Sequence, residues 1–343
     1  MPINKKIKKQ IVVSVIMVRN ATNHLLQKAK VSKSDEFYTQ LCDIDRELQY
    51  YKQHFQGKVV YCNCDNPRVS NFFYYFASNF HELGLKKLIA ACYVESKRNL
   101  FNITDDRKGF YCEITEGIND RKEINNLKFI SFKGNGDFRS EESIELLKVS
   151  DIVVTNPPFS LFRDYISQLI KYNKKFLVIG NVNAITYKEI FTLIQNNKIW
   201  LGVNLGRGIS GFIVPEHYKL YGTETHKDTD GNSIVATNNC LWLTNLELKQ
   251  RHENIVLTKE YIGNEDKYPT YDNCEGINVN RTQDIPKDYK GIMGVPITFL
   301  HKYNPTQFEI IRFRKGDDGK DLQINGKCPY FRILIRNKRF KSV

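Results

Sequence analysis

The residues with the clearest chemical potential lie at 151–159, which read Asp-Ile-Val-Val-Thr-Asn-Pro-Pro-Phe. The short, apolar and β-branched run before the asparagine predicts a buried parallel strand. Asn156 and Phe159 flank Pro157 and Pro158, which stiffen the chain and supply no N–H groups. The Asn156 amide oxygen and a backbone carbonyl could therefore accept both hydrogens of a planar exocyclic amine, beside an aromatic ring, at the carboxyl edge of a sheet.

An ordinary proline turn after a strand is the alternative, but the strand context favours a functional motif. Asn156, Pro157, Pro158 and Phe159 resemble the catalytic motif of S-adenosylmethionine-dependent amino-methyltransferases that act on adenine N6. The resemblance implies that these four residues are catalytic and that S-adenosylmethionine is the methyl donor. It implies direct transfer of the methyl group, with no metal.

Segments of strand and helix length alternate up to about residue 200, which predicts an α/β fold with a doubly wound, mostly parallel sheet. Strands are predicted at 58–62, 87–94, 128–132, 151–155 and 175–179, and helices at 33–55, 70–80, 141–148 and 161–172. The polar residues 102–126 predict a hairpin or loop, and extended segments with turns follow the alternating part. The resemblance implies a Rossmann-like methyltransferase fold with a smaller C-terminal target-recognition region.

The N-terminal residues look superficially like a secretory signal, because four lysines precede the apolar run 11–18. The run is short and no small-residue cleavage motif follows it, so we expect no export, and no stretch is long enough to span a membrane. We expect residues 1–17 to be an N-terminal extension, with Met17 a candidate for the true start. The catalytic domain is predicted at 18–248 and the target-recognition region at 249–343.

The cofactor pocket should form where the predicted strands end. Glu95 ends the second strand, and a carboxylate there can accept hydrogen bonds from both ribose hydroxyls, although a solvated strand-end charge fits equally well. After the third strand, Asp137 could accept from the amine of the cofactor adenine while Phe138 packs on its ring. An ordinary turn is the alternative for this Gly-Asn-Gly-Asp string.

Two further cofactor segments are implied by the resemblance. Residues 35–40 resemble the segment that packs under the methionine end of the cofactor, and a capped helix start is the alternative. The implied contacts of this segment are Phe37, Tyr38 and Thr39, with Thr39 at the carboxylate. Asp65 follows the first strand and would bind the methionine amino group.

The turn after Asp65 departs from the usual pattern of these enzymes. Arg68, Ser70 and Asn71 stand where glycines are common.

The formal net charge of +13 predicts an acidic partner, of which nucleic acid is the commonest, and a merely basic soluble protein is the alternative. Residues 312–343 contain ten lysines or arginines against three acids, with aromatic residues between them. Ile333 and Ile335 favour a strand with one packed face over a solvated tail. We therefore expect contacts with DNA phosphates here. The candidates are Arg312, Arg314, Lys315, Arg332 and Arg336.

Two other patterns carry less weight. Residues 206–211 match the dinucleotide fingerprint G-x-G-x-x-G, but they fall late in the chain and precede a strand. They are better interpreted as a flexible loop near the substrate than as an NAD site. The eight cysteines include no C-x-x-C pair, and Cys62 and Cys64 would point to opposite faces of a strand. Reduced thiols and a cytoplasmic location are expected.

The resemblance extends from the class to a family, the EcoRI-type adenine-specific DNA methyltransferases of restriction-modification systems, within the gamma class. It covers nearly the whole chain from about residue 17. The strings that carry it are Arg19-Asn-Ala-Thr-Asn23, Lys33-Ser-Asp-Glu-Phe-Tyr-Thr-Gln40, Val60-Tyr-Cys-Asn-Cys-Asp65, Pro67-Arg-Val-Ser-Asn-Phe72, Gly211-Phe-Ile-Val-Pro-Glu-His217, Met293-Gly-Val-Pro296 and Phe299-Leu-His-Lys-Tyr-Asn-Pro305. The family shares the atypical segment around Asp65.

Family membership implies N6-methylation of adenine in duplex DNA, which protects a target from a partner endonuclease. It suggests the second adenine of GAATTC. The resemblance is compatible with a monomer that methylates one strand at a time and forms no stable complex with the endonuclease. The enzymatic alternatives are methylation of RNA or of a protein glutamine amide, which the basic C-terminal region disfavours. A DNA-binding protein on a decayed methyltransferase fold is the non-enzymatic alternative.

Overall fold

Strands and helices alternate through a mixed α/β structure with several sheets. A computed structural model describes residues 38–94, 108–204, 209–214, 225–228, 231–236, 239–314, 322–328 and 331–339. Two compact units are formed, each from two stretches of chain. The first unit is Met1–Tyr165 with Gly206–Cys240, and the second unit is Ile166–Leu205 with Leu241–Val343.

The described helices and strands are numbered in chain order. The α-helices are α1 (Leu41–Leu48), α2 (Lys52–Phe55), α3 (Asn71–Ser78), α4 (Glu141–Val149), α5 (Phe162–Lys171) and α6 (Lys188–Gln195). The strands are β1 (Tyr38–Thr39), β2 (Val59–Cys62), β3 (Lys87–Cys92), β4 (Phe110–Ile114), β5 (Phe129–Ser131), β6 (Ile152–Thr155), β7 (Lys175–Asn181), β8 (Trp200–Leu201), β9 (Gly211–Val214), β10 (Thr225–Lys227), β11 (Ser233–Ala236), β12 (Cys240–Thr244), β13 (Thr270–Tyr271), β14 (Cys274–Asn278), β15 (Ile292–Pro296), β16 (Phe308–Arg314) and β17 (Arg332–Asn337).

In the first unit, five strands pair in the order β5-β4-β3-β2-β6. Strand β2 is parallel to both β3 and β6, and every residue of β2 and β6 is buried. Apolar strands covered on both faces are typical of parallel sheets. The predictions of these three strands are confirmed, and their ends lie within two residues of the predicted ones.

The sheet is less parallel than predicted, because β4 inserts an antiparallel hairpin at one edge. Strand β4 pairs antiparallel with β3 and with β5. Strand β5 therefore runs in the same direction as β3 without touching it. The loop after β5 consequently returns to the edge where β2, β3 and β6 end.

That loop approaches β3 closely. Val94 N donates to the Asn135 carbonyl at 2.9 Å. Gly136 has φ of +79°, and a Cβ there would lie 2.6 Å from the Cys92 carbonyl oxygen. Glycine is required at this position for both reasons, since side chains rarely adopt a left-handed backbone and none would fit.

The second sheet of the first unit has the order β1-β9-β11-β10, with all neighbours antiparallel. A helix was predicted over 33–55, and that prediction is wrong for residues 38 and 39. They form strand β1, whose Thr39 pairs with Phe212 of β9. Helix α1 begins only at Leu41. Pairing with a distant strand has overridden the local helical pattern.

Helix α3 begins where its sequence predicts. The Ser70 hydroxyl accepts hydrogen bonds from Phe72 N at 3.1 Å and Phe73 N at 3.3 Å, so it caps the helix. The buried ring of Phe76 packs edge-on against Phe55, with 5.0 Å between the ring centroids. This aromatic helix fills the core of the first unit beside α1.

The second unit contains the strand run β7-β12-β8 and a five-stranded sheet of order β13-β14-β15-β17-β16. Helix α6 packs on β16, where Phe191 stacks on Phe313 with 5.1 Å between the ring centroids. The other face of the sheet buries Tyr271, Leu322 and Leu334. Within the described ranges, no helix is both long enough and apolar enough to cross a membrane.

The predicted boundary at residues 248/249 stays a prediction about function. The compact units divide the chain differently, because Ile166–Leu205 groups with Leu241–Val343.

Candidate active site

The Asn-Pro-Pro-Phe segment leaves the buried strand β6 at the edge of the first unit's larger sheet. Asn156 is half-buried and Pro157 is buried. Pro158 has φ of −61° and ψ of 120°, after which Phe159–Leu161 form one turn of 3-10 helix. Leu161 N donates to the Pro158 carbonyl at 3.1 Å, so that carbonyl is committed to the turn. The Pro157 carbonyl lies next to Asn156 in sequence, as the predicted pair of acceptors requires.

A second aromatic ring stands beside Phe159. The rings of Phe159 and Phe212 have centroids 6.3 Å apart and planes inclined by 63°. Phe212 is buried in β9 and directly follows the glycine-containing segment that was predicted to lie near the substrate. Phe212 was not among the site residues predicted from the sequence. Its position after Gly211 in one of the resemblance strings was the available signal.

A buried carboxylate fixes the start of β9. Asp43 of α1 accepts hydrogen bonds from Ser210 N at 2.8 Å and from the Ser210 hydroxyl at 2.9 Å. Arg46 also donates to Asp43, at 3.1 Å. Burial raises the pKa of Asp43, and the hydrogen bonds from Ser210 oppose that rise. Because Ser210 lies two residues before Phe212, this contact helps to place the second ring.

Thr39 has the surroundings expected of a ligand-binding residue. It is buried, and its hydroxyl has no hydrogen-bond partner among the described residues. Its carbonyl accepts from Asn71 Nδ2 at 2.8 Å, which ties β1 to the first turn of α3. A buried hydroxyl without a partner carries a cost that a bound polar group would remove. The structure therefore fits a polar ligand at Thr39, with Tyr38 half-buried beside it.

Asp65 is buried and accepts two hydroxyl hydrogen bonds. The Ser70 hydroxyl donates to Oδ1 at 2.7 Å, and the Thr155 hydroxyl donates to Oδ2. Burial raises the pKa of Asp65 to about 6, and both hydrogen bonds oppose that rise. Asp65 thus joins the end of β2 to the end of β6 and to the cap of α3.

Asp137 lies in the loop after β5 and is held by its neighbour Arg139. Arg139 Nε donates to Oδ1 at 2.9 Å and Nη2 to Oδ2 at 2.7 Å. This ion pair lowers the pKa of Asp137, so the carboxylate is ionised and can accept further hydrogen bonds. The buried ring of Phe138 packs edge-on against Tyr165, with 5.1 Å between the centroids.

The remaining cofactor candidates lie outside the described residues. These candidates are Phe37 and Glu95. The part of the chain that is described also contains no group of three or more His, Cys, Asp or Glu side chains arranged to hold a metal ion.

The predicted DNA-contacting residues fall on paired strands of the second unit. Arg312 of β16 is exposed, and Arg336 of β17 is exposed opposite Glu309. Arg332 is buried instead, and its Nε donates to Asn278 Oδ1 at 2.9 Å. The DNA-contact prediction therefore depends on Arg312 and Arg336 rather than on Arg332.

The other two candidates are Arg314 and Lys315. Only the backbone of Arg314 is described, at the end of β16 with Arg332 as its cross-strand partner, and Lys315 lies outside the described residues.

The raised pKa of Asp65 predicts a particular pH dependence of stability. Between about pH 4 and about pH 7, the unfolded chain loses the Asp65 proton before the folded chain does, so ionisation costs folding free energy as the pH rises. The unfolding free energy of Asp65→Asn minus that of the parent should therefore rise by about 2 kcal/mol between about pH 4 and about pH 7. Denaturant unfolding at several pH values measures the difference.

The matched control is Asp45→Asn, an exposed aspartate of α1. A difference between Asp65→Asn and the parent that stays constant across the pH range would contradict the buried, proton-retaining carboxylate.

The chain is similar to a family of known proteins over most of its length. Residues 25–338 match the family described as Adenine-specific methyltransferase EcoRI. The chain is 67% identical over 326 residues to Type II methyltransferase M.EcoRI of Escherichia coli, which covers 95% of this chain and 100% of the relative. No solved structure matches the chain.

Two relatives from Mycoplasma are more distant. Type II methyltransferase M.MgeORF184P of Mycoplasma genitalium is 37% identical over 336 residues, which covers 92% of this chain and 99% of the relative. Type II methyltransferase M.MpnI of Mycoplasma pneumoniae is 36% identical over 334 residues, and the alignment covers 92% of this chain and 99% of the relative. The family match spans both the Asn156 segment and the basic C-terminal strands. The chain belongs to the EcoRI family of adenine-specific methyltransferases and is a Type II DNA methyltransferase.

Proposed function

We propose that this enzyme transfers the methyl group of S-adenosylmethionine to N6 of an adenine in duplex DNA, within the sequence GAATTC. The observation that carries the proposal is the Asn156 loop at the end of β6, with Phe159 and Phe212 as neighbouring aromatic rings. A half-buried amide acceptor in the same loop as an aromatic ring, with a second ring next to that one, is suited to a flat base that carries an amine.

The chemistry requires the target base to leave the helix. Adenine N6 is stacked inside duplex DNA, so the nucleotide must be flipped into the protein. Phe159 would stack on the flipped base, and Phe212 would form a second wall. Asn156 Oδ1 and the Pro157 carbonyl would accept the two N6 hydrogens and direct the nitrogen lone pair toward the methyl group. Positioning and fixed dipoles supply the catalysis.

S-adenosylmethionine, when bound, supplies the electrophilic methyl group. Thr39 is the strongest candidate for holding it, because a polar ligand would give the buried Thr39 hydroxyl a partner. Asp137 can accept hydrogen bonds while it is held by Arg139. Tyr38 precedes Thr39 and Phe138 follows Asp137 in the chain, and Asp65, Phe37 and Glu95 are further candidates from the sequence.

DNA recognition is assigned to the C-terminal region, residues 249–343, with Arg312 and Arg336 contacting phosphates. Work on one strand at a time needs no second subunit, so a monomer suffices. A partner endonuclease would cut the unmethylated site without forming a stable complex, and both enzymes would act in the cytoplasm, where the DNA is.

The first test of the proposal is product analysis. The enzyme is incubated with labelled S-adenosylmethionine and duplex DNA with or without GAATTC. We expect label on N6 of adenine in the GAATTC duplex only, with protection from an endonuclease that cuts GAATTC. Label in both duplexes would overturn the proposed sequence. Label on RNA or on a protein glutamine, and none on DNA, would support the alternative substrates.

Removal of the amide acceptor should separate chemistry from binding. Asn156→Ala should lower kcat by about 100-fold or more, because a positioned acceptor of this kind acts mainly in the transition state. The dissociation constant for S-adenosylmethionine should stay within about threefold, since Asn156 contacts the base. Single-turnover methylation and calorimetric binding measure the two quantities.

Asn119→Ala, at an exposed asparagine of the same unit, is the control and should leave both quantities unchanged. Near-normal turnover of Asn156→Ala would show that the loop is not the catalytic centre.

The two exposed arginines of the second unit should act through charge. The double variant Arg312→Ala with Arg336→Ala should bind DNA more weakly with every sequence. The slope of log K against log salt concentration should become shallower by about 0.9 for each phosphate contact removed. Fluorescence anisotropy across a salt series measures this slope.

The control for the double variant removes two exposed lysines from helices of the first unit, through Lys52→Ala and Lys148→Ala. Equal slopes for the two double variants would exclude a specific phosphate contact by the arginines.

A further inference from the structure

The segment that follows β2 contacts one residue before the catalytic loop and one residue after it. On one side, Thr155 directly precedes Asn156, and its hydroxyl donates to Asp65 Oδ2. On the other side, Tyr165 of α5 donates its hydroxyl to Asn63 Oδ1. All four residues that make these two contacts are buried. The loop that contains Asn156 is therefore held at both ends by residues only two positions apart in the chain.

Two consecutive residues of the loop between these contacts have no backbone N–H. Pro157 and Pro158 have no N–H to donate, and Leu161 N is used in a turn within the loop. The residues that flank the loop therefore help to set the location of Asn156 relative to the sheet. Hydrogen bonds in a buried setting are well suited to that task, because no water competes for the partners.

Asp65 extends the same connection toward the cofactor candidates. Its other oxygen accepts from Ser70, the cap of α3, and the next residue, Asn71, donates to the Thr39 carbonyl at 2.8 Å. A continuous series of hydrogen bonds and adjacent residues thus runs from Thr155 to Thr39. Only a carboxylate can accept from two hydroxyls through two equivalent oxygens, since an asparagine offers one acceptor oxygen.

We propose that Asn63 and Asp65 are positioning residues for methyl transfer: they hold Thr155 and Tyr165 and thereby fix Asn156 against the target base. The inference rests on the proposed function and assigns Asp65 to the catalytic loop rather than to the cofactor amino group. Asp65 touches neither reactant in this role and acts through Thr155.

The decisive experiment removes the hydroxyl of Thr155 and keeps its shape. Thr155→Val should lower kcat by about tenfold or more, because small displacements of a reacting group are costly. Its KM for DNA and its dissociation constant for S-adenosylmethionine should stay within about threefold, since neither reactant touches Thr155. Thr155→Ser restores the hydroxyl and should recover kcat to within about threefold of the parent.

Thr244→Val is the matched control. Thr244 is a fully buried threonine of the second unit whose hydroxyl donates to the Phe176 carbonyl at 2.6 Å and accepts from Leu246 N at 3.0 Å. This variant should lower the melting temperature and leave kcat of the folded enzyme unchanged. The comparison of the two variants separates the effect of removing any buried threonine hydroxyl from the effect of displacing Asn156.

Tyr165→Phe tests the other end of the loop and serves if Thr155→Val does not fold. It removes only the hydroxyl that donates a hydrogen bond to Asn63 Oδ1. We therefore expect kcat to fall again without a matching loss of cofactor affinity. Tyr51→Phe is its control, since Tyr51 is also fully buried and donates to Glu47 Oε1 at 2.9 Å. Tyr51→Phe should change stability alone.

Each outcome decides between distinct explanations. A kcat loss in Thr155→Val and Tyr165→Phe, with rescue by Thr155→Ser and intact cofactor affinity, supports the positioning role. Cofactor affinity that falls in proportion to kcat would overturn it in favour of a cofactor contact by Asp65. Unchanged kcat in both variants, with Asn156→Ala inactive, would overturn the inference alone. An active Asn156→Ala would overturn the proposed function, and the inference with it.

Discussion

A carboxylate buried between two hydroxyls is the constraint on which the first unit's site depends. Asp65 loses the solvation of water, and Ser70 and Thr155 supply its hydrogen bonds. Burial still raises the pKa of Asp65 to about 6, so the arrangement reduces stability at neutral pH. A fold selected for stability alone would favour a neutral side chain here. The retained carboxylate is consistent with a demand from function.

The need for a carboxylate at position 65 is consistent with the structure of the proposed catalytic loop. The two prolines suit the loop because they limit the conformations of the chain between strand and helix. The same two residues have no N–H to donate to the sheet. Thr155 and Tyr165, on either side of the loop, are held by Asp65 and Asn63. Asp43, which fixes Ser210, serves the neighbouring strand β9 in the same way.

Local sequence predicted the elements that bury continuous apolar runs and missed those that depend on distant partners. Strands β2, β3 and β6 were predicted because their hydrophobic residues need no knowledge of the remaining chain. Strand β1 was mistaken for helix, since its pairing with β9 joins residues far apart in the sequence. The proximity of Phe212 to Phe159 was missed for the same reason. Motif residues such as Asn156 were identified through resemblance, whereas the contacts that hold them became visible only in three dimensions.

In the second unit, too, the sequence predicted the excess of positive charge but not which arginines are exposed. The C-terminal excess of lysine and arginine predicted a phosphate-binding surface, but a sequence gives no way to tell an exposed arginine from a buried one. Arg332 bonds to Asn278, which also accepts from the Tyr271 hydroxyl at 3.0 Å, so this guanidinium organises the sheet interior. Its charge still adds to the attraction of DNA over about a Debye length, which is about 8 Å at physiological salt. Direct contact and long-range attraction are thus separable: of the three candidates whose side chains are described, Arg312 and Arg336 are exposed and Arg332 is buried.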